Sequence, residues 1–130
     1  MPEHPNADVM RRAVAAFQAG DAAAMTALFA DDLVWRIPGK SPVSRTAKNR
    51  DEFFQLAGQL MELSGGTFKV ENLEIHANDA GGVFVDRLTA ARDGRKLDLG
   101  LLLLVRIRGG KIVEGTDYFH DQYAWDAFWS

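Results

Sequence analysis

Four extended segments in the second half of the chain constrain the fold more than any other feature of the sequence. Turns rich in glycine and asparagine or aspartate join them at Asn78–Gly82, Asp93-Gly94 and Gly109-Gly110, and such turns are typical of β-hairpins. We therefore predict four consecutive antiparallel strands. They cover residues 67–77, 82–92, 96–108 and 112–120.

The first half of the chain has the composition and periodicity of helices instead. Apolar residues are spaced for one helical face over residues 6–19, 22–30 and 51–63, which predicts three helices. A short strand is predicted over residues 33–37, and residues 39–50 have the composition of a loop long enough to form a flap. Helices segregated to one side of an antiparallel sheet define the α+β fold class.

The composition limits the functions that the chain could have. A length of 130 residues suits a single domain over residues 1–130. There are no cysteines, which excludes disulfide bonds, thiol catalysis and thiolate metal ligands. The net charge of −3 gives no basis for binding nucleic acid or an anionic membrane. The longest apolar run, residues 99–105, is far shorter than the ~20 residues of a bilayer span, and we expect a soluble cytoplasmic protein.

Three polar residues, Asp117, His120 and Asp121, lie among aromatic residues at the end of the last predicted strand. Strand alternation places Asp117 on the same face as Gly115 and Phe119. An apolar environment raises the pKa of a carboxyl group and suits it to general acid/base chemistry near neutral pH. Asp117 is therefore the candidate catalytic residue.

A structural role for these polar residues is also open. Asp117 could pair with Arg87 or Arg106 at a solvated strand end, and Asp121 could cap a helix over residues 122–128. A metal site built from Asp117, His120 and Asp121 is not predicted, because the three histidines of the chain are scattered. No cofactor is expected.

Four motifs together resemble one known family. The chain is similar to the SnoaL-like members of the NTF2-like superfamily, whose cystatin-like, cone-shaped α+β fold is shared with ketosteroid isomerases, limonene-epoxide hydrolases and polyketide cyclases. The resemblance implies a curved antiparallel sheet wrapped around about three N-terminal helices, with an apolar cavity and a homodimer formed through the outer sheet face. The motifs are FQAGDAAAMTALFADDLVWRIPG (17–39), NRDEFFQL (49–56), RDGRKLDL (92–99) and GGKIVEGTDYFHD (109–121).

The leucines of residues 99–104 are compatible with these implications, because they lie on both faces of one predicted strand. One face could cover the cavity and the other could meet a second copy of the chain. An uncovered apolar sheet face would promote aggregation, which favours the dimer over the alternative of a larger monomeric core.

The resemblance also bears on the reaction. The proton-donating and proton-accepting positions of ketosteroid isomerases fall near Ala13, Leu103 (or Leu102) and Ile37, which cannot donate or accept a proton and therefore argue against steroid isomerisation. The acid/base aspartate of polyketide cyclases matches Asp117. Their partner histidine has no evident counterpart, since Asp98 and Leu102 lie nearby instead.

Epoxide hydrolases of this fold use an Asp–Arg–Asp set with a tyrosine and an asparagine to hold a water molecule. Asp86, Arg87, Asp98 and Asp117 supply the charged residue types of that set. The tyrosine and the asparagine have no clear match, so this resemblance is incomplete.

Further site residues are predicted around Asp117. The candidate auxiliary residues are Arg87, Asp98, His120 and Asp121, each of which could instead be an ordinary surface or capping residue. The predicted pocket lining consists of Trp35, Ile37, Phe54, Leu103 and Phe119. The aromatic tail over residues 123–129 could form a short helix or strand that closes the core, covers the cavity or clasps a partner subunit.

The predicted function is cofactor-independent acid/base chemistry, namely isomerisation, cyclisation or hydration, on a small hydrophobic organic molecule. The first alternative is a non-catalytic binding or accessory module that uses the same cavity as a receptor. The second is a purely structural dimer with a filled core. No nucleic acid or membrane partner is expected under any of the three.

Overall fold

The computed structural model describes residues 3–130, which form an α+β fold as the sequence predicts. The helices of this part of the chain are α1 (Pro5–Ala19), α2 (Ala22–Leu28), α3 (Arg50–Leu63) and α4 (Gln122–Trp129). Its strands are β1 (Phe29–Arg36), β2 (Thr46–Ala47), β3 (Lys69–Asn78), β4 (Gly81–Arg92), β5 (Arg95–Arg108) and β6 (Lys111–Phe119).

The strands form one curved sheet with the order β2-β1-β6-β5-β4-β3. Strands β3 to β6 pair antiparallel with their neighbours in the chain, as the turn signals predict. Asp93-Gly94 and Gly109-Gly110 have positive φ angles of 50°, 77°, 58° and 77°, which tight hairpin turns require. The parallel pairing of β1 with β6 has no local signal in the sequence, because the two strands are far apart in the chain.

One face of the sheet, which we call the inner face, carries Phe84, Leu101 and Asp117 and is covered by helices. Helix α1 packs against β3 and β4, and α3 packs against β1 and β2. Most of the buried apolar side chains of these elements belong to one cluster. None of the helices within residues 3–130 has the length and apolarity needed to cross a membrane.

The boundary between α2 and β1 differs from the prediction of a helix over residues 22–30. The helix ends at Leu28 and Phe29 begins the strand. The Phe29 ring is buried and packs against Phe53, with ring centroids 5.4 Å apart. Burial of this ring in the core overrides the local helical pattern.

Hydrogen bonds to α4 hold the predicted flap over residues 39–50 in place. The Lys40 amide donates to Asp126 Oδ1 at 3.0 Å, Gln122 Nε2 donates to the Pro38 carbonyl at 3.1 Å, and Trp125 Nε1 donates to Ser44 Oγ at 3.1 Å. These hydrogen bonds join the loop and the adjacent Pro38 to α4, so the loop is held against that helix.

The aromatic tail forms α4, a helix that closes one end of the core. Asp121 Oδ1 accepts a hydrogen bond from the Ala124 amide at 3.0 Å, which makes Asp121 the N-cap. Trp125, Phe128 and Trp129 are buried. The helix thus stabilises the fold through apolar packing.

Gly115 allows β1 and β6 to pack closely around one indole ring. Trp35 and Gly115 are register partners in the parallel pair. A Cβ atom at position 115 would overlap the Cε3 and Cζ3 atoms of Trp35. Only glycine therefore leaves room for the six-membered ring of Trp35 against the β6 backbone.

This packing predicts that Gly115→Ala destabilises the protein by about 1–3 kcal/mol, because the added methyl group displaces the Trp35 ring. Urea unfolding measures the change. Gly100→Ala on β5 is the matched control, since its Cβ would lie 3.5 Å from the nearest heavy atom, the Cβ of His120. Equal stabilities of the two variants would contradict the role given to Gly115.

Candidate active site

A pocket of about 890 Å³ lies between the inner face of the sheet and helices α1 and α3. Most of its wall is apolar, with aromatic rings supplied by Phe17, Phe29, Trp35, Phe53, Phe68 and Phe84. The polar and charged residues that line it are Gln18, Lys69, Glu71, Asn72, Asp86 and Asp117. Apolar pockets with a few placed polar groups are the usual form of small-molecule sites.

Asp117 on β6 is one of two buried carboxyl groups in this wall, with 6% of its surface exposed. Its Oδ1 accepts a hydrogen bond from Trp35 Nε1 at 2.8 Å. Burial raises the pKa of Asp117 to about 7, the Trp35 hydrogen bond acts in the opposite direction, and the nearby charge of Asp86 adds to the rise. At neutral pH the group is therefore partly protonated and can both accept and donate a proton.

Asp86 on β4 is the second buried carboxyl group, and it is 4% exposed. Its Oδ1 accepts a hydrogen bond from Asn72 Nδ2 at 2.9 Å, and the same Nδ2 donates to the Glu74 carbonyl at 3.1 Å. Burial raises the pKa of Asp86 to about 6, while the hydrogen bond from Asn72 lowers it.

The two carboxyl groups lie on the same sheet face with an apolar stretch between them. Leu103 is the cross-strand partner of both Phe84 and Asp117, and Leu101 is the partner of Asp86. Asp86 and Asp117 are thus separated by one intervening strand and by two residues along it. From ordinary strand spacings, their Cα atoms are roughly 12 Å apart.

The sequence pattern indicates Asp86 only as a residue type of the epoxide hydrolase set and does not place it in the pocket. The missed signal is the alternation within β4, where Phe84, Asp86 and Leu88 share the inner face and are buried. A carboxylate between two large apolar residues of the same face indicates a buried acid.

Trp35, Ile37 and Leu103 line the pocket, as does Ala13, so the positions compared with steroid isomerases carry apolar side chains there. Phe54 does not line the described pocket. Its neighbour Phe53 does, stacked on Trp35 with ring centroids 4.6 Å apart, because consecutive helix residues point about 100° apart.

Phe119 likewise lies outside the pocket lining, although it follows Asp117 by two residues on β6. Its ring stacks on Trp125 of α4, with centroids 4.1 Å apart. The strand therefore passes from the pocket into the core beneath α4 between these two positions.

The candidate auxiliary residues lie elsewhere. Arg87 donates from Nε and Nη2 to the two carboxylate oxygens of Asp98 at 2.9 and 2.6 Å, and both side chains are exposed to solvent on the other face of the sheet, the outer face. The Arg87 guanidinium lowers the pKa of Asp98. His120 is exposed and Asp121 caps α4. Within residues 3–130, no group of three or more His, Asp or Glu side chains is arranged to hold a metal ion.

The architecture and the comparisons define the class of this protein. The α+β fold is shared with an NTF2-like protein from Burkholderia xenovorans, whose structure has a TM-score of 0.84 at 20% identity and covers 100% of this chain and 99% of its own. Residues 10–115 match the model of the SnoaL-like domain, and the chain belongs to this family.

Individual relatives extend the match to the whole chain. An uncharacterized protein of Mycobacterium tuberculosis is 32% identical over 131 aligned positions, which cover 100% of both chains. The structure of Bal32a from a soil-derived mobile gene cassette has a TM-score of 0.92 at 36% identity and covers 97% of each chain. IdmH, a putative polyketide cyclase from Streptomyces antibioticus, has a TM-score of 0.73 at 18% identity, covering 90% of this chain and 93% of its own. At that identity IdmH shows the shared fold alone.

The raised pKa of Asp117 predicts that burying this group costs more stability as pH rises. Because the folded-state pKa of about 7 exceeds the ordinary 3.8, the folded protein holds the proton more tightly than the unfolded chain. The stability that the protonated Asp117 contributes to the folded state is fully present below about pH 4 and is lost as pH rises through about 7.

Asp117→Asn, which mimics the protonated form, should therefore gain stability relative to wild type by about 4 kcal/mol between pH 4 and pH 8. Urea unfolding at both pH values measures this difference. Asp32→Asn, at a solvent-exposed position of β1, is the matched control and should show a constant difference. A constant difference for Asp117→Asn as well would contradict the burial of a carboxyl group without a cationic partner.

Proposed function

We propose that this protein is an enzyme that moves protons on a hydrophobic organic molecule, with Asp117 as the general acid/base and without a cofactor. The observation that carries the proposal is a buried carboxyl group with a pKa raised to about 7 in the wall of an apolar pocket. Such a group supports proton transfer near neutral pH. The reaction classes it fits are isomerisation, cyclisation and hydration.

The hydrogen bond from Trp35 supports this role by holding Asp117 in place. Only Oδ1 is engaged within the described part of the chain. The second carboxyl oxygen is therefore available to a substrate in the pocket that Asp117 lines. A base whose orientation is fixed by a neighbour reacts with less reorganisation.

The pocket supports a hydrophobic substrate. Its volume of about 890 Å³ falls within the range of roughly 300–1,000 Å³ that is typical of small-molecule sites. Its aromatic walls provide apolar contact surface. The apolar residues Ala13, Ile37 and Leu103 on the wall support a reaction other than steroid isomerisation.

The comparisons support the same general chemistry. The SnoaL-like family and the fold shared with a putative polyketide cyclase make cyclisation one of the candidate reactions. The alternative is a receptor for a hydrophobic ligand, which is favoured because the described residues that line the pocket include no histidine to act with Asp117. The two functions differ in whether the bound molecule reacts.

The probe 5-nitrobenzisoxazole distinguishes the two functions, because it fits a small apolar site and reacts in one step. Asp117 removes the ring C–H proton, the C–H electron pair forms the nitrile, and the N–O bond breaks to release a phenolate that is measured by absorbance. The wild-type rate should rise with pH through an apparent pKa of about 7, since only the ionised carboxylate acts as the base.

Asp117→Asn should reduce this rate by at least about 100-fold, whereas Asp32→Asn should leave it unchanged. Binding of the probe is measured in parallel by calorimetry. Binding without turnover by the wild type would support the receptor and overturn the enzyme.

We also propose that two copies of the chain associate through the outer face of the sheet. Val85, Leu102 and Tyr118 form a row across β4, β5 and β6. Leu102 is 45% exposed and Tyr118 is 52% exposed. A row of exposed apolar residues across a sheet favours burial against a matching surface, and two copies related by a two-fold axis provide that surface.

The dimer is tested by light scattering after size-exclusion chromatography. The wild type should have twice the chain mass of 14.4 kDa, and Leu102→Glu should have the mass of one chain, because a charge would be buried in the interface. Tyr123→Glu, at an exposed position of α4, is the control and should remain dimeric. A monomeric wild type would contradict the interface.

A further inference from the structure

We infer that Asp86 is a second ligand-binding group and that the pocket takes a neutral molecule with an apolar ring body and oxygen groups at both ends. The inference deepens the proposed function, because it concerns the same pocket. It requires binding at Asp86 and does not require turnover at Asp117.

The fold alone does not explain the burial of Asp86. Buried carboxyl groups are normally paired with a cation or with several hydrogen-bond donors. Asp86 has one such partner within the described part of the chain, the Asn72 amide. The adjacent Arg87 lies on the outer face and is paired with Asp98. The carboxyl group thus has an unmet capacity for hydrogen bonds.

Asn72 holds Asp86 in an orientation that suits a ligand. Its Nδ2 atom is anchored to the Glu74 carbonyl across an irregularity in the β3–β4 pairing between Asn72 and Glu74. The amide therefore fixes Oδ1 of Asp86 and leaves Oδ2 without a partner among the described residues. Both Asn72 and Asp86 line the pocket, which is where a partner for Oδ2 can be placed.

Asp86 and Asp117 together define the shape of the ligand. Each has one oxygen fixed by an N–H donor and one oxygen without a partner within residues 3–130. Leu101, Leu103 and Phe84 occupy the sheet face between and beside them. A molecule that contacts both carboxyl groups must therefore be polar at two ends and apolar in the middle.

The charges of the lining argue against an anionic ligand. Lys69 is the cation among the described lining residues, and three acids, Glu71, Asp86 and Asp117, line the same pocket. An anion would be repelled by this lining. Burial raises the pKa of Asp86 to about 6 and that of Asp117 to about 7, which weakens the attraction of the pocket for a cation and leaves a neutral molecule as the ligand that fits. Near neutral pH Asp117 can donate to a carbonyl or accept from a hydroxyl group, and Asp86 mainly accepts from a hydroxyl group.

Two matched probes test the inference by isothermal titration calorimetry. They are 2-naphthol, with one hydroxyl group, and 2,6-dihydroxynaphthalene, with a hydroxyl group at each end. The wild type should bind the diol about 5–10-fold more tightly, the value of one added hydrogen bond. Asp86→Leu should reduce this advantage to less than about twofold, while Asp32→Leu should preserve it.

The inference would be overturned if the wild type bound neither probe, or bound the diol no more tightly than 2-naphthol. It would also be overturned if Asp86→Leu kept the full preference of the wild type for the diol over 2-naphthol. Tighter binding of the cation 2-naphthalenemethylamine than of the diol by the wild type would contradict it as well. If Asp86→Leu does not fold, a crystal structure of the wild type with the diol bound tests the inference instead. One hydroxyl group should lie within hydrogen-bond distance of each aspartate, and a diol placed elsewhere would refute the assignment.

Failure of this inference is distinguishable from failure of the proposed function. If the tighter binding of the diol depends on Asp86 but 5-nitrobenzisoxazole is not turned over, Asp86 is a ligand-binding group and the proposed enzyme activity is wrong. If turnover depends on Asp117 but Asp86 has no effect on diol binding, the proposed enzyme activity stands and the inference about Asp86 is wrong.

Discussion

The hydrogen bond from the Trp35 indole to the Asp117 carboxyl group joins the fold to the site. It has a length of 2.8 Å and lies in the buried interior. It requires the parallel pairing of β1 with β6 and the missing side chain of Gly115, where the indole ring lies against the β6 backbone. The packing of one aromatic ring thus fixes the orientation of the carboxyl group on which the proposed chemistry depends.

Burying the two carboxyl groups of the pocket has an energetic cost for the fold. Burial of Asp117 and Asp86 without a cation opposes ionisation and raises the pKa of each group. A protein selected only for stability gains little from two such groups, since apolar residues of similar size would fill the same positions at lower cost. Their placement in an apolar pocket supports the proposal that a bound molecule uses them.

Local sequence signals predicted much of the fold and, together with the family resemblance, several pocket residues: Trp35, Ile37, Leu103 and Asp117. Gly109-Gly110 indicated a hairpin because tight turns need the positive φ angles that suit glycine, and strand alternation placed Asp117 on the same face as Gly115. Other features depend on contacts between distant parts of the chain. The β1–β6 pairing has no local signal, the choice between Phe53 and Phe54 depends on the rotation of α3, and Asp86 was obscured by the adjacent charge of Arg87, which lies on the opposite face.

The central claim is that the side chain of Asp117 is buried in the pocket wall with its proton held near neutral pH. Carbon-13 NMR of the aspartate carboxyl carbons, followed as a function of pH, tests it most directly. The account predicts that the Asp117 signal titrates with a midpoint of about 7. A midpoint near the ordinary value of 3.8 would show a solvated carboxylate and would contradict the account.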